Sequence, residues 1–118
     1  MKRVLIVDDG LFMRVLIRGM LQKNGYEIIG EAEDGAVAVE KYKELNPDLV
    51  TMDITMPNKN GLDALREILE INPDAAVVMV SAMGQESFVK EAIIIGAKGF
   101  VVKPFDESGL ISVLESIA

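Results

Sequence analysis

The chain has 118 residues, 50% of them hydrophobic, at a mean hydropathy of +0.29, which suits one domain (residues 1–118) with a real core and leaves no room for a second. A net charge of -7 and a pI near 4.5 argue against direct binding to nucleic acid or to an anionic membrane, and favour basic, metallic or apolar partners. Lacking Cys and His, the chain has no disulfide framework, thiolate zinc site, Ser-His-Asp triad or phosphohistidine of its own.

After Lys2-Arg3 the apolar run Val4 to Val7 meets Asp8 far too soon for a signal-peptide core or a membrane span, so the cytoplasm is the expected location. The run itself, Arg3 to Val7, predicts a strand that closes on Asp8-Asp9 and Gly10. Leu11 to Asn24 predicts a helix with Phe12, Leu16 and Met20 at helical spacing and Gly25 as its left-handed stop. Gly19 inside that helix costs about 1 kcal/mol against Ala, which suggests a close contact. Tyr26 to Glu31 reads as the second strand, Asp34 as a helix cap, and Ala36 to Leu45 as the second helix, stopped at Asn46-Pro47-Asp48.

Leu49 to Asp53 is continuous and apolar up to its acid, the pattern of a strand covered on both faces in the middle of a sheet. Pro57 cannot donate to a ladder and Asn58-Lys59-Asn60-Gly61 is turn chemistry, so Asp53 is delivered to an exit rim. A third helix starts near Gly61 with Leu62, Leu65, Ile68 and Leu69 on one stripe. Ala76 to Val80 forms a fourth buried strand ending on Ser81, and Glu86 to Ile95 a fourth helix with Phe88, Ala92 and Ile95 inward and Ile94 pointing away. Phe100 to Val102 is the fifth strand, ending on Lys103-Pro104-Phe105. A last helix buries Leu110, Val113, Leu114 and Ile117.

Strands alternating with helices predict an α/β fold with a parallel, doubly wound sheet and right-handed crossovers, and every polar group singled out lies at a strand's C-terminal end. Taken singly, Asp8-Asp9 reads as a helix cap, Ser81 as a turn residue and Lys103 as a solvated cation. Together they make a rim where three carboxylates repel one another unless a cation joins them. Oxygen ligands of this kind suit Mg²⁺, which is commonly held by one or two carboxylates plus phosphate oxygens.

Val7-Asp8-Asp9, Met52-Asp53-Ile54-Thr55-Met56-Pro57, Ser81-Ala82 and Lys103-Pro104-Phe105 resemble, in that order, the receiver domain of two-component response regulators. The resemblance spans the whole chain and is strongest to the single-domain, CheY-like chemotaxis regulators. It implies a flavodoxin-like (βα)5 fold with strand order 2-1-3-4-5, an order these receivers themselves exemplify. It further implies that Asp53 accepts a phosphoryl group from a CheA-like histidine kinase. Asp9 and Asp53 would bind Mg²⁺ directly and Asp8 through water, with the Thr55 carbonyl completing the protein ligands, while Ser81 and Lys103 contact the phosphoryl oxygens. The protein would be a monomeric phosphoacceptor that assists its own phosphorylation and dephosphorylation, not an enzyme. Its expected partner is a flagellar motor switch component, reached through a surface of the fourth helix, fifth strand and fifth helix. There Ser81 would move toward the phosphoryl group and Phe100 would turn inward. Two departures stand out: Gly10 follows the acid pair and is expected to loosen its loop, and Phe replaces the Tyr often found at position 100.

Three rivals fit less well. A Mg²⁺-dependent phosphohydrolase forming an aspartyl-phosphate would carry Asp-x-Asp, whereas here the sequence is Asp53-Ile54-Thr55. A flavin carrier would need a phosphate loop after the first strand, and Asp8-Asp9 would repel that phosphate. A receiver excised from a DNA-binding regulator is the remaining alternative.

Overall fold

In the computed structural model, which describes residues 2–117, the five apolar runs become parallel strands: β1 (Arg3–Val7), β2 (Glu27–Ala32), β3 (Leu49–Asp53), β4 (Val77–Ser81) and β5 (Gly99–Val102). Between and after them lie α1 (Leu11–Lys23), α2 (Gly35–Leu45), α3 (Gly61–Ile71), α4 (Glu86–Ile95) and α5 (Glu107–Ser116). The sheet runs β2-β1-β3-β4-β5, the order that the resemblance implies, with every pairing parallel, as the alternation of strands and helices predicts. Its central strands β3 and β4 are buried at every position, which is why they read as unbroken apolar runs rather than alternating ones.

Two cores sandwich the sheet. Leu5, Val50, Met52 and Met79 pack against α2, α3 and α4 through Val39, Leu65, Ile68 and Ala92. On the opposite face Val4, Ile6, Leu49, Val78 and Val80 meet Ile17 and Leu21 of α1 and Leu110 and Leu114 of α5. By strand alternation Thr51 and Asp53 share the face of Leu49, so β3 spends its last odd positions on a hydroxyl and an acid within that second core. Among the described residues no helix is long and apolar enough to cross a membrane.

Helix starts and stops follow local chemistry. Asp34, Asn60 and Asp106 cap α2, α3 and α5 by accepting the N–H groups of Val37, Asp63 and Gly109. Asn46 (φ 47°) closes α2 in the left-handed region, and Gly25 (φ 85°) turns the chain just after α1. Three expectations about the helices need correction. In α1 the inner face is Ile17 and Leu21 with Met13 and Met20 beside them, while Phe12 is 78% exposed and Leu16 also faces out. Gly19 has no close contact, since a Cβ there would meet nothing within 4 Å. In α4 Val89 and Ala92 are buried, whereas Phe88 lies on the exposed side.

Candidate functional site

β1 and β3 are neighbours in the register Val7↔Met52, so the next residue on each, Asp8 and Asp53, stand opposite one another where the strands leave the sheet. Asp9 follows at once, and one carboxylate oxygen from each of Asp8, Asp9 and Asp53 lies within 4.8 Å of the others. Lys103 arrives from the end of β5. Its backbone N–H donates to the Ser81 carbonyl at 2.7 Å, and its Nζ sits 3.2 Å from Asp8 Oδ2 and 3.7 Å from Asp53 Oδ2. The Lys103–Pro104 peptide is cis.

Asp53 is 7% exposed and Asp8 only 2%, while Asp9 is open to solvent. Burial, then the neighbouring Asp8 charge, pushes the Asp53 carboxyl up from 3.8 to about 6, with a smaller contribution from Asp9. Lys103 and the Ile54 N–H, which donates to Asp53 Oδ1 at 2.9 Å, pull the other way without cancelling the rise. The cluster is therefore short of positive charge. Three hard oxygen donors with one partial counter-charge are a fitting place for a metal ion.

The loop that carries Asp8 and Asp9 is held firmly, contrary to what Gly10 suggests. The Gly10 N–H donates to Asp8 Oδ1 at 2.8 Å, and Arg14 Nη1 donates to the Asp8 carbonyl at 2.7 Å. Arg14 is fixed in turn by Glu31 on β2, which also pairs with Arg18. Glycine lets this backbone sit close, because a Cβ at position 10 would lie 3.3 Å from Asp8 Oδ1.

The loop after Asp53 is pinned at three places. Gly61 N–H donates to the Ile54 carbonyl at 2.7 Å, Gly35 N–H to the Lys59 carbonyl at 2.9 Å, and Asn58 Nδ2 to Asp34 Oδ2 at 2.8 Å. Both glycines are required by the approach itself: a Cβ at Gly61 would fall 2.0 Å from the Asp53 carbonyl oxygen, and one at Gly35 2.3 Å from that of Lys59. Asp34 thus does more than cap α2. Its carboxyl is held below the ordinary value by the Val37 N–H and, next, by the Asn58 amide. Thr55, two residues beyond Asp53, is exposed, and its hydroxyl accepts from Gln85 Nε2 at 2.8 Å.

Ser81 completes the rim. It is buried, and its hydroxyl donates to the Val101 carbonyl across a long 3.4 Å. Beyond it α4 and β5 frame a groove of about 390 Å³ lined by Ser81, Val89, Ile93 and Phe100. Ile94 is 78% exposed there, and Phe100 and Phe88 are also open to solvent. All the residues singled out in the sequence, Asp8, Asp9, Asp53, Thr55, Ser81 and Lys103, thus converge on one end of the sheet. Arg14, Asn58 and Gln85 escaped notice there, because an Arg, an Asn in a turn and a Gln before a helix carry no distinctive spacing.

Comparison with known proteins agrees with this geometry. The chain is 56% identical over 117 residues to the chemotaxis protein CheY of Thermotoga maritima, covering 99% of this chain and 98% of that one. It is 58% identical over 115 residues to CheY of Bacillus subtilis, covering 98% and 93%. Its fold superposes with a TM-score of 0.94 on a chain of the CheX–CheY–BeF3–Mg+2 complex from Borrelia burgdorferi, at 42% identity over 98% of this chain and 88% of the other. Residues 4–115 match the family model of the response regulator receiver domain, and the chain belongs to that family.

Proposed function

We propose that Asp53 accepts a phosphoryl group from a histidine kinase, with Mg²⁺ held by Asp9, Asp53 and the Thr55 carbonyl and, through water, by Asp8, and that this switches an output surface on α4, β5 and α5. The observation that carries the reading is the buried Asp53 carboxylate at the end of the central strand, facing two acids and one lysine. Similarity to chemotaxis proteins supports a cytoplasmic role in chemotaxis, with a CheA-like kinase as donor and a flagellar motor switch component as output partner.

The chain's own groups account for the transfer. An Asp53 carboxylate oxygen attacks the phosphorus of the donor phosphohistidine; a P–O bond forms, the P–N bond breaks, and the imidazole nitrogen leaves with the electron pair. Because the attacking Asp53 carboxylate is ionised and has no proton to give up, no general base is required of a chain that lacks His. Mg²⁺, when bound, offsets the repulsion among the acids and the charge on the transferring phosphoryl oxygens. Lys103 Nζ, already placed between Asp8 and Asp53, supplies a second positive charge at the same point. The Ser81 hydroxyl, held only by a long bond, is free to exchange the Val101 carbonyl for a phosphoryl oxygen. Space vacated by that movement adjoins Phe100, which has no hydroxyl to desolvate on turning inward. The protein acts as a signalling phosphoacceptor that assists its own phosphorylation and dephosphorylation, and turns over no separate substrate.

Intact-mass measurement after incubation with Mg²⁺ and acetyl phosphate tests the reading. A gain of one phosphoryl group is expected, prevented by a chelator; no gain under any metal condition would overturn it. For the output surface, Ser81→Ala, Phe100→Ala and Ile94→Lys should each lose most of the phosphorylation-dependent affinity for the partner. An unchanged gain in all three would place the output elsewhere.

A further inference from the structure

β3 and β4 pair in the register Asp53↔Val80. Past the ends of these strands lie Thr55, two residues beyond β3, and Ala82, one residue beyond β4, on adjacent exit loops. Gln85 joins them: its Nε2 donates to Thr55 Oγ1 at 2.8 Å, and its Oε1 accepts the Ala82 N–H at 2.7 Å. Both ends of the amide are used, so its orientation is fixed.

Gln85 is also the N-cap residue of α4, a place where Ser, Thr, Asp or Asn usually holds a free helix N–H. Side-chain caps of that kind are present on α2, α3 and α5. At α4 the cap side chain makes no such bond and is turned back across the rim instead. Gly84, at φ +90°, supplies the bend that brings it there.

Resting on the phosphoacceptor reading above, we propose that Gln85 is a positioning residue, a strap that ties the acceptor loop to the Ser81–Ala82 loop in the unphosphorylated state and is released on phosphorylation. Ser81 reaches a phosphoryl oxygen on Asp53 by leaving the Val101 carbonyl, and in the proposed switch the loop that carries it shifts toward Asp53, Ala82 with it. While Gln85 holds the Ala82 N–H at one end and Thr55 at the other, that movement breaks the strap. The two hydrogen bonds therefore belong to the resting arrangement alone and bias the equilibrium toward it.

Beryllium fluoride with Mg²⁺ is a non-covalent stand-in for the phosphoryl group, and its affinity can be read by calorimetry. Gln85→Ala should bind it about fivefold more tightly than the wild type, the effect of removing two solvent-exposed hydrogen bonds from the resting state. Thr55→Val, which keeps the backbone carbonyl and leaves α4 untouched, should shift affinity in the same direction by less. The double variant should bind no more tightly than Gln85→Ala, because both changes open one strap. Affinity for Mg²⁺ alone separates this from a general loosening of the loops, which would weaken Mg²⁺ and beryllium fluoride together; the strap leaves Mg²⁺ affinity in Gln85→Ala as it was. Equal or weaker beryllium fluoride binding by both single variants, with normal binding by the wild type, overturns the strap. Failure of the wild type to bind overturns the phosphoacceptor reading and the strap with it.

Discussion

Replacing Asp53 by Asn should make the metal-free protein more stable, although it removes the residue on which the function depends. Folding raises the Asp53 carboxyl from 3.8 to about 6, chiefly by burial and then by the Asp8 charge. The folded state therefore keeps a proton that the unfolded chain has already lost, and stability falls as pH rises through that interval. At about 1.4 kcal/mol per pH unit, the penalty carried by the ionised group at neutral pH is at most about 3 kcal/mol, and solvent at the rim screens part of it. Asn keeps the shape and removes the charge. Urea unfolding in excess chelator should show Asp53→Asn more stable by up to that amount at about pH 7.5, with the gap narrowing toward pH 4. Asp34 titrates in the opposite sense: pulled below 3.8 by the Val37 N–H and the Asn58 amide, its contribution is full above that value and lost as pH falls below it. The two groups thus act in different windows. Saturating Mg²⁺ should narrow the gap from the other side, by stabilising the wild type more than the variant. A metal-free Asp53→Asn protein no more stable than wild type at neutral pH would refute the reasoning.

Asp9→Ala should weaken Mg²⁺ binding more than Asp8→Ala, since Asp8 already engages Gly10 and Lys103 while Asp9 is exposed and free to act as a ligand; calorimetric titration decides, and equal affinities in wild type and both variants would contradict it. Thr51→Val should raise stability by about 1 kcal/mol in urea unfolding, because the Thr51 hydroxyl is buried in β3 without a hydrogen-bond partner among the described residues. Gly19→Ala should add about 0.5–1 kcal/mol, given the open space around position 19 inside α1; a loss of stability would reveal a contact absent from the structure.

The sheet was legible because burial on both faces leaves a plain trace. Leu49 to Asp53 and Val77 to Ser81 carry no polar alternation, and each ends on the group that the rim uses. Convergence of Asp8, Asp53, Ser81 and Lys103 follows from parallel strands, which deliver every C-terminal end to one side. Helix faces were harder. In α1, Leu11, Phe12, Val15 and Leu16 are as apolar as Met13, Ile17, Met20 and Leu21, so periodicity offers two candidate stripes and only packing against β1 and α5 selects the second. In α4 the inward stripe holds at Ala92 and Ile95 but fails at Phe88 for the same reason, with Phe88 and Val89 adjacent and both apolar. The supports of the site were invisible for a different reason. Asn58 on Asp34 and Gln85 on Thr55 are single hydrogen bonds between segments distant in sequence, while Arg14 reaches from α1 back to the nearby Asp8 carbonyl, and no residue spacing announces any of them.

Locating the phosphoryl group is the most direct test of the central claim. After incubation with Mg²⁺ and acetyl phosphate, reductive trapping of the acyl phosphate followed by peptide mass spectrometry should mark Asp53 alone, and the mark should vanish in Asp53→Asn. A mark on Asp8 or Asp9, or one that persists in equal yield in Asp53→Asn, would contradict the account.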